Sequence, residues 1–171
     1  MYMRTFALLA AIAVADKSDF PHDDSFHADC HVTADFEEYT CNQLYNVMAT
    51  LIQKWDSPET SPAQGTYTYK EDGANDYIWS TRLTKNGKYT DDQIFEFTTT
   101  ENGCSVAGHS RSQSVSILDN SVNFCNLWNV YNGTGIAFTQ SVGKCAAKAD
   151  EPVTTCARYA DDSSFALIEQ I

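Results

Sequence analysis

Two Asn-Gly pairs constrain this chain more than any other feature. Asn86-Gly87 separates an apolar-rich run at 77–84 from another at 88–99, and Asn102-Gly103 separates that second run from 104–118. Asn-Gly between such runs is a strong hairpin signal, because a type I′ turn needs positive φ at both central residues. Asp119-Asn120 then divides the third run from 122–131. Residues 77–131 therefore read as an antiparallel meander of four strands.

Alternation assigns faces within it. Ile78 and Ser80 oppose Tyr77, Trp79 and Thr81, and Phe95 and Phe97 point inward while Ile94 and Glu96 point out. The third run is interrupted by the polar stretch 108–114 (GHSRSQS), which suggests an edge strand or a concave face that stays wet. Gly108 within it permits a bulge or a close approach. Phe124, Leu127, Trp128 and Val130 make the fourth strand. Residues 66–70 alternate with Tyr67 and Tyr69 on one face, and 136–141 is a further strand. Between 66–70 and the meander, EDGAND (71–76) is a turn, since its carboxylates lack the calcium-loop spacing.

One helix is expected, over 40–55. Thr40 and Gln43 form a capping box. Cys41, Leu44, Tyr45, Met48, Leu51, Ile52 and Trp55 recur at three- and four-residue steps, and Ser57-Pro58 stops the run. A stripe this broad must pack on something large, and the sheet is the candidate.

The start of the chain sets the compartment. Arg4, an apolar run over 6–14 and the small-x-small site Ala13-Val14-Ala15 make residues 1–15 a secretory signal peptide. Neither that run nor any later one reaches the about 18 apolar residues a membrane-spanning helix needs. In an exported chain Cys30, Cys41, Cys104, Cys125, Cys145 and Cys156 read as three disulfides, whose pairing the sequence leaves open, Cys145–Cys156 included. Removing residues 1–15 leaves ten basic against 23 acidic residues. Such a surface repels phosphate backbones and excludes nucleic acid as a partner. Asn132-Gly133-Thr134 is an N-glycosylation sequon placed after a strand. Residues 165–171 form a short apolar terminus.

Catalytic chemistry finds little to work with. Three of the four histidines, His22, His27 and His31, crowd a polar lead-in at 16–29 and its edge. His27 and His31 would share a face only on a helix, for which Asp29, Cys30, Val32 and Thr33 are poor formers, so they read as solvent-facing. His109 shares a strand face with Arg111 rather than with Ser110 or Ser112, which suits an anion better than an activated nucleophile. Asp91-Asp92 and Asp161-Asp162 read as solvated turn carboxylates. No G-x-S-x-G, H-E-x-x-H or phosphate loop occurs.

Three stretches carry a resemblance. Tyr89-Thr90-Asp91-Asp92-Gln93-Ile94-Phe95-Glu96-Phe97, then 103–112 (GCSVAGHSRS), then Asn123-Phe124-Cys125-Asn126-Leu127-Trp128, with 28–36 (ADCHVTADF) ahead of them, resemble a group of small secreted, disulfide-containing proteins of aquatic animals. The resemblance covers most of the mature chain and implies an exported, disulfide-linked single domain. The order of a helix followed by a meander is also similar to cystatins. Their inhibitory Gln-x-Val-x-Gly is not met, since Gln113-Ser114-Val115-Ser116 runs on into Ile117.

The expected architecture is α+β, cystatin-like or helix-grip-like: one N-terminal helix on a curved, four- to six-stranded antiparallel meander, stapled by three disulfides. Residues 1–15 are the signal peptide, 16–29 an extended lead-in and 30–171 a single domain. The expected function is secreted, non-catalytic binding of a small apolar or sugar ligand in a sheet–helix pocket. Tyr67, Tyr69, Trp79, His109, Arg111 and Trp128 are its candidate lining, although any single aromatic reads sooner as a core filler. No cofactor and no metal are expected, and the partner is an unknown small molecule or protein. The alternatives are a structural or interaction protein of a matrix or coat and, against the incomplete motif, a protease inhibitor.

Overall fold

The computed structural model describes residues 16–73, 76–116 and 119–157. The expected signal peptide, Asp161-Asp162 and the apolar terminus lie outside them. The elements run β1 (Asp29–Glu37), α1 (Cys41–Lys54), β2 (Thr66–Asp72), β3 (Tyr77–Leu83), β4 (Thr90–Thr99), β5 (Gly103–Ser112), α2 (Val122–Gly133), β6 (Thr139–Cys145) and α3 (Pro152–Ala157). The six strands form one sheet in the order β2-β3-β4-β5-β1-β6, with every neighbouring pair antiparallel. The fold is thus α+β, with a six-stranded antiparallel sheet and three disulfides.

The helix expected first comes second, because β1 precedes it. β1 went unread although Cys30, Val32, Ala34 and Phe36 alternate as buried residues with His31, Thr33, Asp35 and Glu37. Helix α1 forms as its sequence dictates: Gln43 N–H donates to Thr40 Oγ1 at 3.3 Å, and Thr40 N–H to Gln43 Oε1 at 2.9 Å. Leu44, Met48 and Ile52 are fully buried along its stripe.

The fourth strand of the expected meander is instead helix α2. Phe124, Leu127, Trp128 and Tyr131 follow the helical step, and four asparagines, poor formers in exposed helices, obscure it. Asn123 to Tyr131 are all buried, so no polar face marks an amphipathic helix. Three of the asparagines are interior residues, and two have visible partners there. Asn123 Nδ2 donates to Ala28 O (3.1 Å) and Asp119 Oδ1 (2.7 Å), and Asn126 Nδ2 to Asp91 Oδ2 (2.9 Å).

Those contacts correct two further expectations. The polar stretch of β5 is neither an edge nor wet: β5 lies between β4 and β1, and Ser110 and Ser112 are buried against α2. Asp91 and Asp92 are 2% and 3% exposed, on opposite faces of β4 rather than in a solvated turn. Asp91 accepts from Ser112 Oγ (2.8 Å) and Asn126, and Asp92 from Trp79 Nε1 (3.0 Å) and Gln113 Nε2 (2.9 Å). Gly108 serves the close approach, since a Cβ there would stand 2.2 Å from the Tyr131 hydroxyl.

Both Asn-Gly pairs lie at hairpins, but neither builds a type I′ turn. Gly87 alone has positive φ (67°), while the Asn86 side chain accepts from Thr84 Oγ1 and Lys88 N–H. Gly103 opens β5 where β1 passes so close that a Cβ would meet the Phe36 carbonyl. The last strand is shifted from 136–141 to Thr139–Cys145. That shift places Cys145 opposite Cys30 across β1–β6, and the two are bonded. Cys41 bonds Cys104, and Cys125 bonds Cys156, so Cys145–Cys156 does not form.

Both long helices share one face of the sheet. Leu44, Met48, Ile52, Phe124, Leu127 and Tyr131 pack there on Val32, Phe36, Tyr67, Ile78, Phe95 and Val106. The other face carries a smaller cluster of Phe20, Tyr77, Trp79 and Ile94. The N-terminal segment supplies Phe20. It holds a 3-10 turn at Lys17–Asp19, capped by Asp16, and Lys17 Nζ reaches Asp76 (3.0 Å) and Glu96 (3.3 Å).

Candidate functional site

The second face of the sheet gathers the charged and titratable side chains. Strands β1 and β5 pair in a register that sets His31 directly opposite His109. Alternation turns both away from the helices, and residues opposite one another in an antiparallel pair stand close enough for their side chains to meet. Their rings stack, with centroids 3.9 Å apart and planes 18° from parallel. The Phe20 ring packs against that of His109, with centroids 4.9 Å apart and planes tilted by 58°.

The segment leading into β1 brings Asp23 onto this pair. Asp23 Oδ1 stands 3.2 Å from His31 Nε2 and 3.1 Å from His109 Nε2. Its Oδ2 is 3.1 Å from His31 Nε2 and accepts from Lys144 Nζ at 3.2 Å. His109 Nε2 is buried and makes no hydrogen bond, its alignment to Asp23 being wrong for one despite the distance. One ligand atom each from Asp23, His31 and His109 can be chosen so that all three lie within 4.8 Å of one another.

Neighbouring charges are already paired. Arg111 Nη2 donates to Asp24 Oδ2 at 2.5 Å, and His27 Nδ1 lies 2.7 Å from the same carboxylate. Lys144 Nζ lies 2.7 Å from Asp29 Oδ2. His27, Phe26 N–H and Arg111 together hold the Asp24 carboxyl well below the usual range. Burial pushes the Asp23 carboxyl up, but hydrogen bonds from His31 and Lys144 outweigh it and leave it low. Burial, then the neighbouring His31, push His109 down to about 4, so its imidazole is neutral near pH 7.

Beside the histidine pair lies a cleft of about 550 Å³. Lys17, Ser18 and residues 20–23 wall it together with Ile94, Glu96, Ala107 and His109 of the sheet. That volume suits a small ligand.

The six residues expected to line one pocket lie on both faces of the sheet. Tyr67 and Trp128 are buried in the helix-side core, and Tyr69 is half-buried there with its hydroxyl 3.1 Å from that of Tyr45. Trp79 sits on the second face, its ring covered by Lys70 Nζ at 4.2 Å and flanked by Phe20 at 5.4 Å. His109 and Arg111 share that face. Asn132 stands in the last turn of α2 rather than after a strand. Sequence reasoning missed Phe20, Asp23, Asp24 and Lys144, and it weighed His31 only as the partner of His27. A signal for His31 existed, as the polar member of the alternating run His31-Val32-Thr33-Ala34. Nothing in the sequence marks which strand will lie beside it.

No protein-family model matches the chain, and no curated protein does. Solved structures give loose likenesses. A protein of Chromobacterium violaceum aligns with a TM-score of 0.43 at 8% identity, over 64% of this chain and 94% of its own. A putative uncharacterized protein of Rhizobium leguminosarum gives 0.41 at 9%, over 63% and 94%. The di-domain ARO/CYC StfQ of the steffimycin biosynthetic pathway gives 0.32 at 11%, over 82% and 53%. Likenesses this loose carry no functional inference.

Proposed function

We propose that this is a secreted, non-catalytic binding protein whose ligand enters the cleft on the second face of the sheet. The observation that carries the reading is the cleft itself. A concave space of about 550 Å³ stands beside two stacked imidazoles, Asp23 and the apolar side chains of Phe20 and Ile94. The helix face offers instead the packed core that holds Tyr67 and Trp128. A mixed lining of this kind fits a small ligand with a polar or charged end and an apolar body, which narrows the apolar or sugar ligand read from sequence. The partners of the histidines support a non-catalytic role. His109 faces Asp23, His31 and Phe20, while Ser110 and Ser112 turn toward α2, so His109 activates neither serine.

Export belongs to the same reading. Three disulfides are compatible with an oxidising, extracellular setting, and among the described residues no helix is long and apolar enough to cross a membrane. In this reading residues 1–15 are cleaved, Asn132 carries a glycan, and the chain is kin to the small secreted proteins of aquatic animals it resembles. The helix-grip-like outline is kept, with the ligand on the outer side of the sheet.

The test is an amide-resolved NMR titration of the disulfide-intact chain with sugars, small carboxylates and aromatic amines. Shifts should cluster on Phe20, His31, Ile94 and His109. They should vanish in Ala107→Trp, which fills the cleft from an exposed strand position. Shifts confined to Tyr67, Tyr69 and Trp128, or none at all, would overturn the proposal.

A second reading, an interaction protein of a matrix or coat, has its own observation. Phe26 and Val115 are 65% and 71% exposed, and backbone pairing of 26–27 with Ser116 brings their segments together. Self-association of the wild type that is lost in Val115→Asp, seen by light scattering, would favour it.

A further inference from the structure

We infer that Asp23, His31 and His109 form a binding site for a divalent first-row transition ion, Zn²⁺ foremost. The site would hold the ion through Asp23 Oδ1 and the Nε2 atoms of both imidazoles. This rests on the reading of the second face as the binding face and names a ligand for it.

The geometry carries the inference. Two donor atoms bound to one tetrahedral zinc at about 2.0–2.2 Å stand about 3.3 Å apart. Asp23 Oδ1 is 3.2 Å from His31 Nε2 and 3.1 Å from His109 Nε2, so the donors are already near ligand spacing, and an ion is seated once the two stacked rings turn to aim their Nε2 lone pairs at it. The buried His109 Nε2 is left without a hydrogen bond, in a place where an unpaired polar atom is costly. A coordinated ion satisfies it. The second carboxylate oxygen is held by Lys144, which fixes the Asp23 side chain in the manner of an outer-shell partner. Arg111 and Lys144 do not repel the ion as free charges, since Asp24 and Asp29 already pair them.

The donor set selects the class of ion. Two imidazoles and one carboxylate suit zinc, copper or nickel, whereas calcium and magnesium require a shell of oxygens. Three protein ligands leave a fourth position open toward the cleft. A ligand with a carboxylate, amine or hydroxyl end could bind the ion there, with its apolar body against Phe20 and Ile94.

The experiment uses the full disulfide-bonded chain in chelator-free buffer near neutral pH. Calorimetric titration with Zn²⁺ should give one site per chain. Co²⁺ should give visible bands of four-coordinate intensity, and the His31 and His109 ring signals should shift together on zinc addition. His31→Gln, at a half-exposed position that threatens folding little, should weaken binding at least about 100-fold, more than typical outer-shell losses. His109→Gln should do the same, and His27→Gln should leave affinity unchanged. The inference is overturned if Zn²⁺ gives no heat and no ring shifts, if His31→Gln binds as tightly as wild type, or if His27→Gln abolishes binding. If zinc fails while the organic probes still shift Phe20 and Ile94, the ion site falls and the cleft reading stands. If those probes fail while zinc behaves as expected, the ion site stands and the organic ligand falls.

Discussion

Asp119 accepts from the backbone N–H and side-chain amide of Asn123 where α2 begins, yet it is almost wholly buried. Burial, with Asp91 and Asp29 nearby, pushes its carboxyl up to about 6. A raised carboxyl favours the native state only when protonated. Between about pH 6 and its ordinary value near 4, the folded chain holds a proton that the unfolded chain has lost. Asp119's own contribution to stability should therefore rise by about 2–3 kcal/mol as pH falls through that window, against an opposite contribution from His109, which takes up its proton there only in the unfolded chain. Asp119→Asn keeps an acceptor for Asn123 and lacks the rising share, so its stability should fall away from that of the wild type as pH drops from about 6 to 4. Urea midpoints measured against pH for both proteins decide it, and parallel curves would sink the assignment. Gly108 sets a second test at this scale. Gly108→Ala puts a methyl against the Tyr131 hydroxyl, which itself donates to the Val32 carbonyl at 2.9 Å. The expected cost is about 1–3 kcal/mol. Tyr131→Phe in the same chain should recover part of it, and additive losses in a double-mutant cycle would refute the clash.

At the scale of elements, the two long helices show what a sequence reveals. Helix α1 has one face in water, so its stripe, its capping box and its stop were legible. Thr40→Ala should cost about 1 kcal/mol, read as a lower thermal midpoint, because the Gln43 backbone N–H loses its side-chain acceptor. Helix α2 is buried all round, and asparagines hide its period by serving interior hydrogen bonds. Its identity depends on β5 and on Asp91, which no local pattern reports. β1 was legible in principle, since its buried positions alternate strictly, but no turn signal framed it. The Asn-Gly pairs marked the hairpins correctly and their conformations wrongly, because loop length and the pass of β1 decided the backbone there.

For the whole molecule, long-range closure decides both the fold and the site. Cys30–Cys145 closes 115 residues, Cys41–Cys104 closes 63 and Cys125–Cys156 closes 31. The candidate site depends on the same closure. His31 and His109 meet only because β1 returns beside β5, and Lys144 arrives on β6, held to β1 by Cys30–Cys145. That is why the shared face of His109 and Arg111 was legible from local alternation while their neighbours Asp23 and His31 were not. The two outer disulfides can be separated by experiment. Removing Cys125 and Cys156 together as alanines should cost about 4 kcal/mol by loop-closure entropy, yet it leaves β1, β5 and β6 in register. Zinc affinity at the proposed site should then be unchanged wherever the chain remains folded. Removing Cys30 and Cys145 should cost a little more by the same account. It should also weaken zinc binding, since Lys144 and the Asp23 carboxylate lose the strand that positions them. Calorimetry on both variants, at a temperature where circular dichroism shows each folded, makes the comparison. Equal affinities would show that the site does not depend on the β1–β6 staple.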